Sequence, residues 1–95
     1  MFDDLEDYES NGITLKLGCG DCPEQYDAIN ANGAQLGYLR LRHGRFTVEC
    51  PDVGGDLVLK GYPNGYGQFT QEERTQWLEK AVTAIKEWMT AHGKA

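Results

Sequence analysis

No apolar run in this chain approaches the ~20 residues that a membrane-spanning helix needs, so no membrane partner is expected. Base is scarce. Nine Lys and Arg stand against fifteen Asp and Glu, a formal net charge of -6. Affinity for a phosphate backbone is built from Lys and Arg, so direct nucleic-acid binding is not expected either. A basic partner stays open, including the nucleic-acid groove of another protein, although net negative charge also serves simply to keep a small protein in solution. Histidine is scarcer still: two residues are too few for most metal chemistry. No Ser/His/Asp arrangement is singled out by spacing, so no catalytic residue is assigned and no cofactor is expected. No base occurs in residues 1–9, and the basic-then-apolar layout of a secretory signal is missing, which predicts a cytoplasmic protein.

What is present fits one globular domain. Ninety-five residues, 40% hydrophobic and 25% charged, are ordinary for a single small core. Asp3, Asp4, Glu6, Asp7 and Glu9 form an acidic block, the kind that usually stays solvated. Residues 1–12 therefore read as an acidic N-terminal segment ahead of a domain over 13–92. Phe2, Leu5 and Tyr8 recur at spacing three, which would also suit one or two docked helical turns.

The domain reads as α+β: an antiparallel β-meander of about five strands with one C-terminal amphipathic helix packed on one face. Ile13, Leu15 and Leu17 alternate with polar residues, the period of a half-buried strand. Further strands are expected over residues 25–31, 36–42, 45–50 and 56–62. Residues 23–30 also admit a helical reading, with Pro23 at its first position and Asn32-Gly33 as its stop. Asn32-Gly33 and His43-Gly44 are two-residue hairpin signals. They pair Ala28 with Gly37, Tyr26 with Leu39, and Arg42 with Arg45. A turn at Gly54-Gly55 would pair Cys50 with Leu59. All three hairpins put Leu39, Leu41, Phe46, Val48 and Cys50 on one buried face, and a one-residue slip would invert every side chain.

The helix starts after Thr70, where Thr70-Gln71-Glu72-Glu73 matches a capping box. Trp77, Leu78, Ala81, Val82, Ile85, Trp88 and Met89 make one broad apolar stripe, with both tryptophans as core anchors. Gly93 suits the residue just beyond the helix.

Two motifs bear on chemistry. Cys19-Gly20-Asp21-Cys22 is a C-x-x-C, but zinc wants four ligands. Only Cys50, His43 and His92 remain to complete the set, with Cys50 expected in the core and His43 on a hairpin tip, so no metal site is assigned; were a metal present, Cys19 and Cys22 would hold it. Residues 61–67 form a Gly-rich connection between strand and helix, where phosphate-cradling loops occur. No Gly-Lys-Ser/Thr ending makes it a nucleotide P-loop. Gly65-Tyr66-Gly67 resembles part of the acyl-CoA-dependent acetyltransferase fold, which implies a minimal acyl-CoA-binding domain. Tyr62 replaces the polar first residue of that motif, and Glu72 and Glu73 place acid where a pyrophosphate would sit.

The outward sheet face carries the candidate site. Parity places Tyr38, Arg40, Arg42, Arg45, Thr47, Glu49, Val58, Lys60 and Tyr62 there, with Ile29 and Leu36. Arg42 directly opposes Arg45, a local cost that an anionic partner would relieve. Tyr38, Arg40, Arg42, Arg45, Lys60 and Tyr62 are the expected partner-binding residues.

The stretch Gly37-Tyr38-Leu39-Arg40-Leu41-Arg42-His43-Gly44, followed by Pro51-Asp52-x-Gly54-Gly55, Gly65-x-Gly67-x-Phe69 and Glu73-Arg74, resembles small phage- and prophage-encoded proteins. That resemblance implies a stoichiometric inhibitor that binds and blocks a host defence protein. The residues themselves suggest a non-enzymatic interaction protein with a protein partner, acting as a monomer or small homo-oligomer. A zinc- or thiol-dependent structural module is the alternative, beside the acyl-CoA reading.

Overall fold

A computed structural model describes residues 7–19 and 24–93, with the Cys19 side chain outside that description. The C-x-x-C loop through Cys22 and the first six residues, Phe2 and Leu5 among them, thus lie outside the described residues. Among the described residues six antiparallel strands follow one another in space as in sequence: β1 (Tyr8–Ser10), β2 (Ile13–Cys19), β3 (Glu24–Ile29), β4 (Gln35–Arg42), β5 (Arg45–Cys50) and β6 (Asp56–Gly61). Helix α1 (Gln71–Ala91) closes the fold. Among the described residues no helix is long and apolar enough to cross a membrane.

The sheet has one more strand than the alternation of apolar residues predicts. Tyr8–Ser10 pairs with Ser10 opposite Ile13 and Tyr8 opposite Leu15. Asn11 and Gly12 take φ of 55° and 79°, the two positive values of a type I′ hairpin turn. Tyr8 then reaches the helix and donates its hydroxyl proton to Glu79. Burial and the Glu79 carboxylate push the Tyr8 hydroxyl up to about 12, so it remains a donor at neutral pH.

The central hairpin has the expected register. His43 and Gly44 supply positive φ, and Arg42 faces Arg45 while Leu39 faces Val48. Residues 23–30 hold no helix in their described part: Glu24–Ile29 is a strand, with Ala28 opposite Gly37 and Tyr26 opposite Leu39. The loop before β4 is longer than two residues. Gly33 alone is left-handed there, and the Asn30 side chain accepts from the Asn32 and Ala34 amides at 2.9 Å each. The extra residue makes a bulge, so Ile29 faces Gln35. Leu36 and Gly37 are consequently both buried, and Leu36 belongs to the core rather than the outward face.

The last hairpin differs most. Residues 51–55 all lie in the connection, Cys50 faces Asp56 rather than Leu59, and Leu59 faces Val48. The two-residue shift keeps Leu59 on the inner side. A bulge between Leu57 and Leu59 turns Val58 toward the core as well.

Helix α1 packs against β6, β5, β4 and β1, so both sheet edges meet it and the sheet curls about it. Leu78, Ala81, Val82 and Ile85 are fully or nearly fully buried against Leu15, Leu39, Leu41, Phe46, Val48 and Cys50. The tryptophans flank this core rather than anchor its centre. Trp77 meets the Phe46 ring edge-on with Lys80 above it. Trp88 donates its indole N–H to Asp56 at 2.9 Å and stacks on His92.

Candidate functional site

With the inner face covered, the outward face is read off the register in rows. One row runs Lys16, Asp27, Tyr38, Glu49, Leu57. The next runs Gln25, Arg40, Thr47, Lys60, and the hairpin end adds Arg42 opposite Arg45. Charge is therefore sorted along the strands. The row with Asp27 and Glu49 is mixed or acidic, and the end nearest His43 is cationic.

Arg40, Arg42, Arg45, Thr47, His43 and Tyr62 line one concavity of about 440 Å³ at that end. Four of the six residues expected to bind a partner thus line one cavity. Lys60 lies beside it, opposite Thr47. Tyr38 stands on the adjacent row, where its hydroxyl donates to the Gln25 side chain at 2.6 Å. Arg42, Arg45 and Lys60 are exposed, and Tyr62 is 69% exposed. Among the described residues, ion pairs form between Lys16 and Asp7, Arg74 and Glu24, and His92 and Asp56. None of them involves the four cations of this end.

The Gly-rich connection forms the wall beside the site. Gly44 donates its amide to the Tyr66 carbonyl, and His43 meets the Tyr66 ring edge-on. Two buried carboxylates fix this connection from inside. Glu73 accepts from the Asn64 and Gly65 amides at 2.8 Å each and from Thr70 at 2.9 Å, completing the capping box. Burial alone would raise its carboxyl, but these backbone donors, with the Thr70 side chain, hold it below the usual range. The Asn64, Gly65 and Thr70 amides beside the Gly-x-Gly stretch are thus occupied by the protein's own anion.

Glu24, 1% exposed, is the second carboxylate. Its oxygens accept from Arg74 Nε at 2.9 Å, Arg74 Nη2 at 3.2 Å, the Phe69 amide at 2.9 Å and the Tyr26 hydroxyl. Burial and the neighbouring Glu24 carboxylate push the Tyr26 hydroxyl strongly upward, so it stays protonated and donates. Hydrogen bonding to Glu24 likewise raises the Arg74 guanidinium, against the opposing effect of its burial. In the sequence Arg74 stands out only within a resemblance and Tyr26 only in a hairpin register, and Glu24 is not singled out. Counting by twos from Tyr26 does put Glu24 on the buried face, which is the signal that could have found it.

The residues weighed as additional metal ligands do not converge. Cys50 lies in the core, where burial, with Asp56 nearby, pushes its thiol up to about 11. His43 sits at one hairpin tip, and His92 lies past the far end of a 21-residue helix, against Asp56. Among the described residues no group of three His, Cys, Asp or Glu side chains is placed to hold a metal ion. Comparison of the chain with protein-family models, with curated proteins and with solved structures gave no match.

Proposed function

We propose that this protein is a non-enzymatic binding module whose outward sheet face, at its cationic end, takes an anionic segment of a protein partner. One observation carries the reading. In a chain of net charge -6, Arg40, Arg42, Arg45 and Lys60 gather on one end of one face without a carboxylate partner among the described residues. Such like-charge crowding is a cost to the free protein that a bound anion relieves. Arg and Tyr are also the side chains that most often dominate interface energetics. Stoichiometric blocking of a host defence protein, which the likeness to phage proteins implies, is one form such a module takes. That form rests on the likeness and on no residue of the site.

The competing location is the acidic N-terminal segment, acting toward a basic groove. The test compares, on a partner captured with the immobilised protein, the Arg42→Glu/Arg45→Glu variant with a truncation of residues 1–6. Truncation stops there because Asp7 accepts from the Leu17 amide at 2.9 Å and Tyr8 begins β1. The charge-reversed protein should lose the partner and the truncated one should keep it. The opposite pattern would move the site to the acidic segment.

A further inference from the structure

The cationic end has a definite shape. Arg42 faces Arg45 and Arg40 faces Thr47, so these four positions are the corners of one block of the β4–β5 ladder. Directly opposed residues lie ~5 Å apart, and the next residue on the same face is ~7 Å along the strand. Three guanidinium groups and a hydroxyl therefore rise from a base of roughly 5 by 7 Å, and all four line the same 440 Å³ concavity. Lys60, opposite Thr47, adds a fourth cation at its side. A single carboxylate has two acceptor oxygens and one charge. It would neutralise one guanidinium and leave the others opposed. A tetrahedral dianion offers three acceptor oxygens and up to two charges to the same set of forked donors.

The surroundings limit how large that anion is. One same-face step from Arg40 and Thr47 along the strands, Asp27 and Glu49 flank Tyr38. That step is only ~7 Å. A polyanion that extends along the strands would leave the arginines and run onto these carboxylates, in a protein already at net -6. A single compact phosphoryl group stays within the block.

We infer that this concavity is a phosphoryl-recognition site, and that its occupant is a phosphorylated side chain on the partner protein. Arginine clusters are a recurring solution for reading phosphorylated segments, because the guanidinium fork matches two phosphate oxygens at once. Thr47 supplies a hydroxyl donor at the base, and the exposed ring of Tyr62 offers an apolar rim to residues flanking the modified one. The inference rests on the reading that this face binds a protein, and it fails separately from it.

The experiment is a nuclear magnetic resonance titration of the full chain, following the arginine Nε–H and Thr47 amide signals. The probes are a peptide with phosphoserine between neutral residues, the same peptide with glutamate in that place, and a ten-nucleotide oligothymidylate. The phosphopeptide should shift the Arg40, Arg42, Arg45 and Thr47 signals and bind at least ~10-fold more tightly than the glutamate peptide. Arg42→Lys/Arg45→Lys keeps the charge and removes the fork, so it should weaken phosphopeptide binding by ~10-fold or more while melting stays as in the parent. Equal affinity for the two peptides would overturn the phosphoryl assignment and leave an anion-binding face standing. Tighter binding of the oligonucleotide would overturn it in favour of a nucleic acid. No shift of these signals with any probe would overturn the site itself, and the captured-partner comparison would then judge the face on its own.

Discussion

Replacing Glu24 by Gln is the perturbation that reaches furthest into this structure. Glu24 is strand-borne, 1% exposed, and tied to a guanidinium fifty residues later in the chain. Glu24→Gln keeps the volume but removes the charge, and it turns one acceptor atom into a donor aimed at other donors. The Arg74 guanidinium then loses its counter-ion, and either the Phe69 amide or the Tyr26 hydroxyl loses its acceptor. Breaking one side of a buried pair costs ~3–5 kcal/mol. The Arg74 side chain keeps 18% exposure, so water offsets part of this and the lower end, about 3 kcal/mol, is the expected value. The whole stability of a domain this size is ~5–14 kcal/mol. Urea unfolding followed by fluorescence of the two helix tryptophans measures it. With a slope of ~1–1.5 kcal/mol per molar, the midpoint should fall by ~2–3 M. The double variant Glu24→Gln/Arg74→Met removes both charges and should recover at least ~1 kcal/mol of the loss, the sign of direct coupling. A midpoint within ~0.5 M of the parent for Glu24→Gln would refute the claim that this pair fastens the Gly-rich connection to the sheet.

Other outcomes follow from the same packing. Glu73 has its folded pKa depressed, so its contribution is fully present above the unfolded value of ~4.3 and is lost as pH falls through the lower folded value; the parent should lose stability on acidification across that window, and Glu73→Gln should be less stable at pH 7 with a flatter acid profile in chemical unfolding. In a Cys19→Ser/Cys22→Ser background, the buried Cys50 thiol, raised to about 11, should react with a disulfide reagent only as the protein unfolds; rapid labelling of the folded protein would refute its place in the core. Ile85→Ala empties the centre of the helix contact and should cost ~2–5 kcal/mol by thermal or urea unfolding. Trp88→Ala, at the half-buried rim, should cost less, ~1–2 kcal/mol, most of it from lost packing and the indole bond to Asp56. Reversal of that order would put the tryptophan at the centre instead.

Much of the inner architecture was legible because two periodicities cross-check each other. Leu39, Leu41, Phe46 and Val48 alternate around a turn whose two residues fix the register, and the helix stripe matches the face they define. The errors cluster where one extra residue breaks the alternation. The five-residue connection before β4 makes a bulge that turns Leu36 inward, and the bulge at Val58 does the same in β6. Sequence parity has no view of a bulge, since it counts by twos through it. β1 was missed for a different reason. Asn11-Gly12 carries the same turn signal as Asn32-Gly33, but the acidic block before it reads as solvated segment. The cationic corners of the candidate site followed directly from the hairpin register. The Glu24–Arg74 pair did not, because it joins two ordinary-looking charges across fifty positions.

The order of elements along the chain has a consequence for synthesis. Among the described residues each strand after β1 pairs with its immediate predecessor, so the sheet can zip up in the order of synthesis. The helix that covers its apolar side comes after all six strands. At ~5–20 residues per second, making the 21 residues of α1 takes roughly 1–4 s. Until that stretch is complete, Leu39, Leu41, Phe46 and Val48 have neither Leu78 nor Ile85 to pack against. The nascent sheet is thus an unfinished surface with a built-in waiting time, and expression yield should track helix integrity more steeply than the stability of the finished protein does.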